Sequence, residues 1–156
     1  MRLEYFQMID RIVDLNVDER TVRSVCTVPQ ESTVFQGHFP TYPLMPGVLL
    51  IECMAQTTGW LVIALGGFNA MPFLAGVKDG KFRTAVLPGD ALEFHGKVVH
   101  EGSGYAVAEC EGRRGGAADC DARLTFRILP FPSPQFRQAV WEWGQRMDVR
   151  VEELVK

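Results

Sequence analysis

The apolar positions of this chain are densest between Gly47 and Leu65, where they fall almost all the way round a helix instead of on one face. Such a pattern predicts a buried helix. Pro46 stands at its first turn and Gly66-Gly67 lie just beyond its end, a start and a stop in the usual places. The run is long enough to cross a membrane. Glu52, Gln56, Thr57 and Thr58 in its middle argue against that, and no membrane partner is expected.

Elsewhere the period changes. Phe6–Leu15 mixes β-branched and polar residues and is broken by Asn16–Arg20. Thr21–Val28 is rich in β-branched residues and predicts a strand that stops at Pro29. Residues 30–46 hold prolines 40, 43 and 46 and predict a loop. After the helix, short apolar runs alternate with turn signals. Phe73–Val77 stops at Asp79-Gly80, and Lys81–Leu87 stops at Pro88-Gly89-Asp90. Leu92–His100 stops at Gly102-Ser103-Gly104, Tyr105–Glu111 stops at Gly112–Gly116, and Cys120–Leu129 follows. One buried helix followed by antiparallel strands predicts an α+β domain with a curved sheet wrapped around the helix. Pro130, Pro132 and Pro134 then form a spacer. Beyond it Phe136, Val140, Trp143, Met147, Val151 and Leu154 recur at steps of three and four, an amphipathic helix over 135–155. The chain thus divides into a domain over 1–130 and a spacer with a helix over 131–156 packed on it.

Composition narrows the class. The chain has 156 residues, enough for one domain with a real core, and 47% of them are hydrophobic. The net charge is −3 with no basic stripe, so nucleic acid is not an expected partner. The opening, MRLEYFQMIDRI, lacks the pattern of a signal peptide. The expectation is therefore a cytoplasmic protein whose four cysteines (Cys26, Cys53, Cys110, Cys120) are reduced. Cys110 and Cys120 flank a glycine-rich turn and are expected to face each other across a hairpin. No CxxC, HxxxH or HxH spacing is present, so no metal site is predicted.

Three residues carry candidate chemistry. Glu52 is a lone carboxyl on an apolar helix, where desolvation favours the protonated form and makes a proton donor. Gln56, one turn on, is placed to hydrogen-bond it. His38 sits in a Gly- and Pro-punctuated loop and can take a proton near neutral pH. Gly47 opens the helix, whose free N–H groups and positive dipole end suit a developing oxyanion. The structural alternatives are a glutamate buried against a backbone donor or arginine, a loop histidine bonded to carbonyls, and a helix-starting Pro-Gly.

The stretch FQGHFPTYPLMPGVLLIECMAQ, residues 35–56, resembles the signature of the 3-hydroxyacyl-acyl carrier protein dehydratases. Lys81-Phe82-Arg83, Pro88-Gly89-Asp90 and Met8–Val13 resemble further segments of that family, so the likeness covers about residues 5–128. The resemblance implies a hot-dog fold and a homodimer in which the histidine of one subunit faces the acid of the other, with a trimer of dimers as a further assembly. It implies that His38 removes the C2 proton of a 3-hydroxyacyl thioester, that Glu52 protonates the departing hydroxyl, and that the Gly47 N–H holds the thioester oxygen. No metal or redox cofactor is implied; the pantetheine arm comes from acyl carrier protein, the expected partner. Phe39, Met45, Pro46, Val48 and Gln56 are the expected substrate-binding residues, and Tyr42, Met54 and Trp60 are further candidates for an acyl tunnel.

The chain departs from the family at Thr41-Tyr42, at Lys78, in its reduced opening segment Met1–Tyr5, and in its C-terminal helix, which suggests a specialised paralogue. Arg83, Arg113 and Arg114 are candidates for docking an acidic carrier. The competing readings are a hot-dog acyl thioesterase and a non-catalytic acyl-binding scaffold subunit. The paired His38 and Glu52 favour dehydration over both.

Overall fold

A computed structural model describes residues 1–155. A 3-10 turn at Leu3–Tyr5 precedes strands β1 (Arg11–Asn16) and β2 (Thr21–Thr27). Helices α1 (Thr33–Gly37) and α2 (Gly47–Leu65) follow. Then come β3 (Ala70–Phe82), β4 (Ala91–Gly102), β5 (Tyr105–Arg114) and β6 (Ala117–Pro130). The chain closes with α3 (Pro134–Arg146) and the single turn α4 (Val151–Leu154). The strands make one antiparallel sheet in the order β1-β2-β4-β5-β6-β3.

The sheet curves around α2. Along β2, β4 and β5 every second residue is buried, so one face is turned to the helix and the other to solvent. Leu50, Met54, Leu61 and Ile63 of α2 meet Val22, Phe94, Leu124 and Phe126 in one core. The polar residues that argued against a membrane span have local partners. Thr57 Oγ1 donates to the Cys53 carbonyl at 2.7 Å and sits 2.7 Å from Ser24 Oγ of β2. Thr58 Oγ1 donates to the Met54 carbonyl at 2.8 Å. These bonds satisfy hydroxyls that burial would otherwise penalise. Of the 18-residue apolar window in α2, 67% is buried within the fold.

Four local expectations are corrected. The predicted loop 30–46 contains α1, whose start is capped by Ser32 Oγ accepting from Val34 N at 3.1 Å. Asp79-Gly80 does not end a strand. β3 continues through it to Phe82, and the extra residues are absorbed by a shift of register between Lys78 and Lys81, with Asp79 at φ +56°. The run Lys81–Leu87 is therefore the end of β3 and a loop. Cys110 and Cys120 do not face each other, since Cys110 lies opposite Ala122 and Cys120 opposite Gly112. All four cysteines are free and buried.

The fourth correction concerns the tail, whose helix breaks at Met147–Arg150, with Asp148 at φ +60°. The break lets the chain reach the edge of the sheet, where Ile12 N donates to the Met147 carbonyl at 2.9 Å. Met147, Val149 and Val151 enter the core there. The β1 edge is thus covered by the tail. The β3 edge, at the opposite end of the sheet, has no neighbouring strand among the described residues, and Phe73, Leu74, Val77 and Phe82 are exposed along it.

Candidate active site

His38 ends α1, its N–H donating to the Val34 carbonyl at 2.8 Å. Its Nδ1 lies 3.0 Å from the Leu44 carbonyl. A carbonyl only accepts, so Nδ1 carries the hydrogen, and in the neutral ring Nε2 is the nitrogen with the lone pair. Phe39 packs edge-on against the imidazole, ring centroids 4.5 Å apart, and its backbone is left-handed at φ +57°. A bulky residue held in that region marks a loop over-determined by its surroundings. The loop is anchored beyond His38 by Met45 N donating to the Val86 carbonyl at 2.7 Å.

Pro46 caps α2, and its carbonyl accepts from Leu49 N and Leu50 N at 3.0 and 3.2 Å. Gly47 and Val48 occupy the first turn, where N–H groups have no partner within the helix. The Phe82 ring lies against Gly47: a Cβ added there would stand 3.3 Å from two of its carbons. The absence of a side chain at 47 keeps the helix start and the end of β3 in contact. Val48 points to solvent, 74% exposed.

Glu52 is partly exposed, which corrects the expectation of a buried acid. It occupies the face of α2 that shares a cleft with Met71–Leu74 of β3. Gln56 Nε2 donates to Glu52 Oε1 at 2.9 Å, as its spacing predicts. The same amide nitrogen donates to the Phe6 carbonyl at 2.8 Å, and Gln56 Oε1 accepts from Met8 N at 3.0 Å. Gln56 is therefore committed to the acid and to the opening segment. Met45 is fully buried, so it shapes the loop from below, while Phe39 and Tyr42 are exposed.

Glu52 and Gln56 line a cleft of about 220 Å³. Its walls come from α2, β3 and α3 and include Gly59, Trp60, Pro72 and Trp143. Among the described residues His38 does not line it, so one chain alone does not gather base and acid around one cavity. Larger grooves on the outer face of the sheet are lined by charges that answer one another. Arg83 pairs with Asp121 and Arg113 with Glu111. Arg114 pairs with Asp90 and also with Asp119, whose Oδ2 lies 3.0 Å from Arg114 Nε outside hydrogen-bond alignment. The three arginines considered for carrier docking are thus each engaged within the chain.

Burial pushes the Cys53 and Cys110 thiols well up and raises Cys120 to about 11, so none of them is an available thiolate. Sequence reasoning missed the hold of Gln56 on Phe6 and Met8, because a contact over 48 residues leaves no local pattern. It also missed Val140 and Trp143 as cleft walls. The stripe in the tail showed that they were packed, but not against what.

Residues 2–122 match the family model of the FabA-like domain, and the chain belongs to that family. It is 37% identical over 124 residues to the 3-hydroxyacyl-[acyl-carrier-protein] dehydratase FabZ of Lactococcus lactis subsp. cremoris, covering 79% of this chain and 85% of that one. It is 40% identical over 121 residues to the FabZ of Lactiplantibacillus plantarum, covering 77% and 82%. Among solved structures it resembles a chain of the dehydratase heterocomplex ApeI:P from Xenorhabdus doucetiae, with a TM-score of 0.63 at 16% identity over 87% of this chain and 90% of that one. It also resembles a hypothetical thioesterase of Streptococcus pneumoniae with coenzyme A, with a TM-score of 0.62 at 19% identity over 77% and 85%. These two likenesses establish the hot-dog fold.

Proposed function

We propose that this chain dehydrates 3-hydroxyacyl thioesters carried on acyl carrier protein to trans-2-enoyl thioesters, in the cytoplasm, during fatty-acid or related acyl-chain synthesis. His38 Nε2 accepts the C2 proton. The electron pair of that C–H bond forms the C2=C3 double bond as the C3–O bond breaks. Glu52 delivers its proton to the departing hydroxyl, which leaves as water. The N–H groups of the first turn of α2, Gly47 foremost, hold the thioester oxygen as charge develops on it. Protons and electrons balance among these groups and the substrate, so the step calls for no metal or redox cofactor.

The observation that carries this reading is the 37% identity to a FabZ dehydratase over 124 residues, beside a FabA-like domain match over residues 2–122 that takes in His38, Gly47 and Glu52 together. The tautomer imposed on His38 by the Leu44 carbonyl supports the role of base. The reading includes a homodimer with shared sites. The unpaired β3 edge with its exposed Phe73, Leu74, Val77 and Phe82 supports it, as does the absence of His38 from the Glu52 cleft.

The test is hydration of a short trans-2-enoyl thioester, followed by loss of enoyl absorbance. Wild type is active, and His38→Ala and Glu52→Gln each lose at least about a hundredfold. Release of free thiol without hydration would replace this reading by a thioesterase. No turnover of either kind would leave an acyl-binding scaffold.

A further inference from the structure

The cleft that opens beside the Glu52 carboxyl ends on a part of the chain that lies outside the family match. That match stops at residue 122, whereas Val140 and Trp143 belong to α3. The wall they form is fixed in place. Trp143 stands edge-on to Trp60, ring centroids 5.8 Å apart, and Val140 is buried. Gly144 lets the two helices meet: a Cβ there would lie 2.8 Å from the Trp60 ring.

Glu52 and Gln56 are the polar side chains of the cleft; Gly59, Trp60, Ile63, Pro72, Val140 and Trp143 are among its apolar walls. Its volume of about 220 Å³ falls below the roughly 300–1,000 Å³ of pockets that take a whole ligand, so it suits a tail. Along α2 the lining runs from Glu52 through Gly59 to Ile63 on one face of the helix.

We propose that this cleft receives the distal carbons of the acyl chain, and that α3, through Val140 and Trp143, walls it and limits the length of acyl chain accepted. The proposal rests on the dehydratase reading above. It makes the C-terminal helix a specificity element of this particular chain.

The experiment is a profile of kcat/KM for enoyl hydration over trans-2-enoyl pantetheine thioesters from crotonyl upward. For wild type, each carbon that finds apolar cover raises kcat/KM by up to about fourfold, and the profile turns down once the chain outgrows the cleft. Trp143→Ala moves the turning point to longer chains. Gly59→Ala moves it to shorter ones. The second variant remains readable if the first fails to fold, because a Cβ at 59 meets nothing closer than Pro72 Cγ at 3.8 Å. A wild type active on crotonyl thioester whose profile has no turning point would overturn the proposal and leave the dehydratase reading intact. So would a turning point that stays put in both variants. A wild type inactive at every length would overturn both.

Discussion

Gln56 Nε2 lies 2.9 Å from Glu52 Oε1, one turn along α2, while the two ends of the same amide hold the Phe6 carbonyl and the Met8 N–H. The acid is thereby oriented by a residue that also fastens the start of the chain. Gln56→Leu keeps the bulk and removes all three bonds. We expect kcat for enoyl hydration to fall about tenfold or more, because the acid loses its aim. We also expect stability to fall by about 1–3 kcal/mol, since the Phe6 and Met8 backbone groups lose partners. Urea titration separates the two effects: a stability loss with kcat unchanged would leave Gln56 a purely structural tie.

The separation of His38 from the Glu52 cleft within one chain makes a second test quantitative. If each site takes its base from one subunit and its acid from the other, a dimer of one His38→Ala and one Glu52→Gln chain holds one intact site and one doubly damaged site. Random exchange puts about half the dimers in that form, so mixing two inactive proteins restores about a quarter of wild-type activity. Sites built within one chain would give no recovery, and kcat after co-refolding decides between them.

The sequence announced the parts of this molecule whose signals are local. Helix α2 runs between the residues that its flanking Pro46 and Gly66-Gly67 marked, and the spacing of Glu52 and Gln56 foretold their bond. The strands whose ends are set by Gly- and Pro-rich turns fell where their alternation put them. Signals failed where tertiary contacts overrode local chemistry. Asp79-Gly80 has the composition of a turn, yet β6 pairs with both sides of it and turns it into an irregularity within β3. The tail carries one unbroken helical stripe, but Ile12 draws Met147 out of the helix to cover the β1 edge. The exposure of Glu52 was hidden for a related reason. An apolar run shows that a helix is buried, whereas the face left open depends on which strand ends the sheet.

Alkaline pH should weaken the fold through its buried thiols. Burial raises Cys120 from an ordinary 9.0 to about 11, so the folded state holds that proton more tightly than the unfolded chain does. Its contribution is complete below pH 9 and is lost as pH climbs through the interval to about 11, on the order of 2–3 kcal/mol in all. Burial also pushes up Cys53 and Cys110, which extends the loss to higher pH. Urea midpoints across the interval should fall more gently for Cys120→Ala than for wild type. Parallel slopes would show that Cys120 titrates alike in both states.

The tail should hold the fold together through three buried side chains and one backbone bond. Met147 is fully buried, and its carbonyl takes the Ile12 N–H at 2.9 Å on the outer edge of β1. Met147→Ala leaves the carbonyl in place and opens a cavity, a loss of about 2–5 kcal/mol. Arg150, exposed three residues later, offers the contrast: Arg150→Ala removes only a surface pair with Glu153 and should change stability by less than about 0.5 kcal/mol. Ending the chain at Arg146 removes Met147, Val149 and Val151 from the core and strips the cover from the β1 edge. An exposed strand edge beside newly bared apolar surface is a template for association. The truncated protein should therefore aggregate on light scattering at temperatures where Met147→Ala stays soluble. Equal solubility of the two would show that the β1 edge does not need its cover.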